Sequence, residues 1–171
     1  MRKIIFAAVA CLGLIIVPTT AVFAVSDYSS LVRANCQALQ SSLDSLQRHD
    51  VVARINRGRA YQDILDQMQA LNTRLRNNSI DAAAFDAQST RLSSRVDDFR
   101  TTYTRYDDLM TGLRQINCND KPDDFVAMLA QVRTARVEVG GTVTIIEGAL
   151  ADYRQLVTSL QLAQPKTGGA Q

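Results

Sequence analysis

Apolar side chains recur every three or four residues along almost all of the chain from residue 27 onward. Val32, Cys36, Leu39, Leu43 and Leu46 step by 4, 3, 4, 3, and Tyr61, Ile64, Met68, Leu71 and Leu75 step by 3, 4, 3, 4. This spacing puts each set on one helix face, as in an a/d seam. Between the two blocks strict continuation would place Asp50 and Arg57 inside, so the stripe is read as passing to Val51, Val52 and Ile55. The slip predicts either a stutter within one long helix or a kink near Arg48-His49-Asp50.

Asn77-Asn78-Ser79 ends this segment. Ile80, Asp81 and Phe85 then fit the N′, N-cap and N4 positions of a hydrophobic staple. A second helix follows through Leu92, Val96, Phe99, Tyr103, Tyr106, Met110 and Leu113, stopping near Asn117. Asp120, Pro122 and Asp123 form a start signal for a third, which carries Phe125, Leu129, Val132, Val139, Val143, Ile146, Leu150, Tyr153, Val157 and Leu160. The pattern predicts an all-α fold, an elongated antiparallel three-helix bundle running up-down-up in a coiled-coil-like manner. Its helices cover about 27–77, 81–117 and 121–163. Helices of roughly 40 residues are about 60 Å long, so the expected product is a rod. Residues 164–171 read as a flexible tail.

The first 24 residues follow a different rule. Arg2 and Lys3 precede an uncharged apolar run from Ile4 to Val17, Pro18 breaks it, and Val22-Phe23-Ala24 offers a small-residue exit. That is the pattern of a secretory signal peptide, with an uncleaved anchor as the alternative. Cys11 lies inside the apolar run, too early for lipid attachment. The chain is therefore read as exported, to the periplasm, the cell surface or beyond.

Removing that segment changes the charge. All 17 acidic residues lie beyond it while 2 of the 19 basic ones lie within it, leaving a formally neutral remainder. Neutrality without a like-charge block excludes electrostatic capture of nucleic acid and gives no membrane contact beyond the N-terminal segment. It also leaves two cysteines, Cys36 and Cys118. They are equally far from the turn near residue 77, so an antiparallel hairpin brings them level, and an exported chain should join them in a disulfide. Two buried free thiols are the alternative.

The same register applied to the second turn sets Phe99 level with Gly140, and the first turn brings Gly58 to that height. Small-against-large packing of Gly58 and Gly140-Gly141 on Phe99 and Tyr103 is the expectation. A functional alternative is a mid-rod hinge or an anion cleft lined by Arg54, Arg57, Arg59 and Arg100, whose guanidinium forks suit carboxylates and phosphates. Pairing of these arginines with Asp50, Asp63 and Asp97 would instead make them structural.

Other chemistry is thin. His49 is the lone histidine, too few for a histidine-based centre. Asp97-Asp98, Asp107-Asp108 and Asp123-Asp124 are adjacent in helices and so diverge across faces. Asn117 to Asp124 lacks the glycine and terminal glutamate of a calcium loop. Gln164-Pro165-Lys166-Thr167-Gly168 lacks the rest of a wall-sorting signal. No catalytic residue, metal or cofactor is expected.

The signal segment, Cys36 early in the first helix, the stapled turn at Ile80-Asp81 with Phe85, the aromatic pair Phe99 and Tyr103, and Cys118 closing the second helix together form one further pattern. In these the chain resembles small exported, two-cysteine α-helical proteins of unknown function from reduced-genome bacteria. The resemblance implies location and fold, and no site residue. The leading expectation is a non-enzymatic protein of the cell envelope or surface that acts by contact with a protein partner the sequence does not name, in an oligomeric state it does not specify. A holdase-like periplasmic chaperone and a small-anion sensor module are the alternatives.

Overall fold

The computed structural model describes residues 24–163, and the regular secondary structure of those residues is α-helix throughout. Residues 1–23, which hold most of the expected signal segment and Cys11, and residues 164–171, the expected tail, lie outside the described residues. Four helices follow one another: α1 over Ala24–Ala34, α2 over Cys36–Asn77, α3 over Ala83–Gln115 and α4 over Pro122–Ala163. The three long ones correspond to the predicted segments within two residues at their turn ends. The helix count corrects the three-helix expectation, because the first segment is broken in two.

The break falls at Asn35, not near residue 50. Asn35 has φ −114° and ψ 13°, and its side-chain amide donates to the Leu31 carbonyl at 2.9 Å. Its backbone N–H is shared between the carbonyls of Leu31 and Val32 at 3.2 and 3.3 Å. An Asn side chain that competes for the backbone in this way disfavours continuation of a helix. α1 then packs against α4 as well as α2, and Ser29 donates to Asp123 in the first turn of α4. Beyond the break, α2 runs through Arg48-His49-Asp50 as one helix of 42 residues.

The first turn closes by a Schellman motif. Ser79 takes φ 58°, its N–H donates to Arg76 O at 3.0 Å, and the Ile80 N–H donates to Leu75 O at 2.9 Å. Asp81 receives the Ala83 N–H at 2.9 Å, so it caps α3 from one position earlier than the staple geometry would have it. At the second turn Asn117 accepts the Asn119 N–H at 3.0 Å, and Pro122 opens α4 as expected. Gln40 of α2 donates to the carbonyl of Ile116, the C-cap of α3, at 3.0 Å.

Cys36 and Cys118 form a disulfide with Cα atoms 5.5 Å apart, tying the start of α2 to the turn after α3. At the opposite end, buried Asn72 donates to Asp86 and Ser89, both at 2.9 Å, and receives Tyr153 at 3.4 Å. One side chain thus links three helices. α3 is the central element: its Phe85, Leu92, Val96, Phe99, Tyr103, Tyr106, Met110 and Leu113 are all buried. α2 and α4 flank it and nowhere bring Cα atoms within 8 Å of each other.

That separation overturns the glycine expectation. A Cβ built on Gly58, Gly140 or Gly141 would meet nothing within 4 Å, so Phe99 and Tyr103 do not pack against them. The wide spacing of α2 and α4 leaves a furrow between them, floored by α3.

Candidate functional site

Midway along the furrow the apolar seam of α2 gives way to Asp50, Ala53, Arg54 and Arg57. The seam does not slip to Val51, Val52 and Ile55. Val52 and Ile55 are exposed, while the Asp50 side chain is only 18% exposed. The three-and-four spacing therefore continues straight through the polar residues and aims them at α3 and α4. A half-buried carboxylate needs partners. Asp50 finds two: the Tyr106 hydroxyl donates to it at 2.6 Å and Arg136 of α4 at 3.1 Å.

These residues line a cleft of about 270 Å³ with Phe99 and Tyr103 in its floor and Val139 and Gly140 on the α4 wall. The floor rings are tilted and edge-on, with Phe99–Tyr103 centroids 6.2 Å apart and Tyr103–Tyr106 5.6 Å, and Tyr61 of α2, outside the cleft, abuts Phe99 edge-on at 5.6 Å. Aromatic pairs at such spacing are stable and stiff. The Arg54 guanidinium lies over the Tyr103 ring, 5.2 Å from its centroid, in cation–π contact.

The two tyrosine hydroxyls differ. That of Tyr106 is satisfied by Asp50. That of Tyr103 is buried and has no hydrogen-bond partner among the described residues. Burial, reinforced by Asp107 and Asp50 and opposed by Arg54 and Arg136, pushes the Tyr103 pKa up to about 12. Burial and the hydrogen bond to Asp50 likewise raise Tyr106. At neutral pH both are therefore O–H donors, and the Tyr103 donor lacks an acceptor.

Of the four arginines expected to line a mid-rod anion site, the structure brings Arg54 and Arg57 into this cleft. Arg54 also lines a second groove, between α2 and α3, together with Arg59 and Arg100, so Arg54 is shared and Arg57 is kept apart from the last two. Arg100 there pairs with Asp97 at 2.8 Å. The reason is helical geometry: Arg57 and Arg59 are two residues apart and project from nearly opposite sides of α2. Among the described residues no ion pair engages Arg54 or Arg57.

Sequence reasoning missed Arg136 and the special state of Tyr103, and it named Asp50 only as a partner for the four arginines while moving it out of the seam. A signal for the first existed, since the register that levels Phe99 with Gly140 also levels Tyr103 with Arg136. For Asp50 the signal was the uninterrupted heptad itself. His49 is exposed and apart from the cleft. Asp97 and Asp98 pair separately with Arg100 and Arg95, as divergent faces require. No group of three His, Cys, Asp or Glu among the described residues is placed to hold a metal. No described helix is long and apolar enough to cross a membrane.

No family model, curated protein or solved structure matches the chain. The functional reading rests on the cleft. Three guanidinium groups, less the one carboxylate, leave it a formal surplus of two positive charges. Such a site can hold an anion against an aromatic floor.

Proposed function

We propose that the protein is a non-enzymatic binding module, exported to the cell envelope, that takes an anionic group into the cleft between α2 and α4. The observation that carries this reading is the buried, unpartnered hydroxyl of Tyr103, whose ring lies beneath Arg54, a guanidinium without an ion pair. Leaving a buried donor unsatisfied costs about 1–3 kcal/mol, which an anionic acceptor would offset. Arg54 and Arg57 supply charge-assisted donors in fork geometry, the arrangement that suits carboxylate or phosphate. Of the classes the sequence leaves open, a small-anion binding module is the one these residues favour.

The test is isothermal titration of the intact protein with butyrate and with inorganic phosphate at low ionic strength. At least one should bind with Kd of about 1 mM or tighter. The Arg54→Gln/Arg57→Gln variant, both positions being exposed, should keep its helical circular dichroism and lose that binding about tenfold or more. Absence of binding by both anions, or binding indifferent to the two arginines, contradicts the reading.

A second reading, contact with a protein partner, draws on the outer face of α4. Val137 and Ile145 are 76% and 51% exposed and, with Gly141 between them, share one stripe at i, i+4 and i+8. Crosslinking in intact cells should trap a partner through this stripe, and Val137→Asp should abolish the crosslink. An unchanged crosslink would remove α4 from any such contact.

A further inference from the structure

The furrow between α2 and α4 does not end at the cationic cleft. Toward the disulfide it continues as a second cavity, also about 270 Å³, lined chiefly by Leu39, Leu43, Leu46, Met110, Phe125 and Leu129. Arg136 lines both cavities, and Arg133, one turn earlier on α4, lines the apolar one. The two are neighbouring cavities along one furrow, and the Asp50–Arg136 ion pair spans the furrow where they meet.

This juxtaposition selects one kind of ligand. The apolar compartment follows α2 from Leu39 to Leu46, about 10 Å at the helical rise, within reach of a medium-length acyl tail. It is open along one side, and its polar groups are the Arg133 and Arg136 guanidiniums and Ser42, whose hydroxyl already donates to the Ala38 carbonyl at 2.8 Å. Along the stretch lined by Leu39, Leu43, Leu46, Met110, Phe125 and Leu129 a polar group would be desolvated without compensation. The adjoining cleft offers the reverse: Arg54 and Arg57 without ion pairs, and the Tyr103 O–H without an acceptor. An anion lacking a tail would leave the leucine-lined compartment unused, and a tail lacking an anion would leave these donors unmet.

We infer that the groove binds a single-chain amphiphile with an anionic head, of the medium-chain fatty-acid type. The carboxylate lies among Arg54, Arg57 and Arg136 near Tyr103, and the tail runs past Arg136 along Leu46, Leu43 and Leu39 toward the disulfide end. Asp50 does not repel the head decisively, because its charge is engaged by Arg136 and its lone pairs by Tyr106. The inference deepens the anion-binding reading and rests on it.

Titration of the full protein with butyrate, octanoate, decanoate and decanol, below their aggregation thresholds, tests it. Full burial of a methylene strengthens binding about fourfold. Even in a half-open groove, decanoate should therefore bind about 100-fold more tightly than butyrate. Decanol, lacking the charge, should bind at least about tenfold more weakly than decanoate. Arg54→Gln/Arg57→Gln should bring decanoate down to the level of decanol. Ser42→Trp, placed on an exposed position that lines the apolar compartment, should abolish the chain-length dependence while leaving butyrate binding intact.

Failures of the two readings are separable. If butyrate binds through Arg54 and Arg57 but decanoate binds no more tightly, the amphiphile is excluded and the anion site stands. If decanoate and decanol bind equally and the arginines do not matter, both are overturned. If Ser42→Trp retains the full chain-length dependence, the tail does not occupy this compartment and the inference fails.

Discussion

The Tyr106 hydroxyl donates a 2.6 Å hydrogen bond to the Asp50 carboxylate across the α2–α3 interface, at a seam position where an apolar side chain would ordinarily sit. The carboxylate also receives Arg136 of α4, so one polar triad joins three helices at mid-length. Asp50→Ala should therefore destabilise the fold by about 1–3 kcal/mol, the cost of stranding a buried hydroxyl. Tyr106→Phe should cost about 1 kcal/mol, and the double variant should cost clearly less than the two effects added. Urea unfolding of the four proteins measures this, and strict additivity would show that the pair is not coupled.

Gly140 lies on the α4 wall of the cleft with open space where a Cβ would be. Gly140→Ala should accordingly raise stability by up to about 1 kcal/mol through helix propensity alone. The same holds for Gly58→Ala. A loss of stability at either site would restore the close packing against Phe99 that the structure does not have.

The disulfide closes a sequence separation of 82 residues. In the chain-entropy account such a loop contributes about 4.5 kcal/mol. Cys36→Ser should lower unfolding free energy by about 2–5 kcal/mol under oxidising conditions and have little effect in excess reductant. Equal effects in both conditions would mean that the bridge contributes nothing.

Alkaline pH should weaken the fold. Tyr103 holds its proton up to about 12 in the folded chain against 10.0 for a free tyrosine, and Tyr106 is raised in the same direction. The folded state therefore binds these protons more tightly than the unfolded state. Their contribution is fully present below about pH 10 and is lost as pH rises through about 12. Chemical denaturation repeated across that window should show falling stability, with a shallower fall for Tyr103→Phe. A flat profile would contradict the burial assigned to these hydroxyls.

Much of the architecture was legible because it follows from local rules. The three-and-four spacing located α3, α4 and the long part of α2, and the hairpin register paired Cys36 with Cys118. The break at Asn35 was not legible, since it depends on one side chain competing for the Leu31 carbonyl within an otherwise regular pattern. Asp50 misled for a different reason. A carboxylate in a seam looks like a register fault until its partners are known, and both Tyr106 and Arg136 come from other helices. The arginine cluster was half legible. Helix angle alone separates Arg57 from Arg59, whereas Arg136 joins the site only through the packing of α4.

The Tyr103 hydroxyl is where structure and proposed function are most directly opposed, because it costs stability in the free protein and, in the proposed reading, would donate to the bound anion. Tyr103→Phe, examined by thermal unfolding and by titration with decanoate on the same sample, separates the two roles. The cleft as described predicts a variant at least as stable as the parent, by up to about 1 kcal/mol, that binds decanoate at least about fivefold more weakly. A variant that is less stable, yet binds decanoate as tightly as the parent, would contradict it.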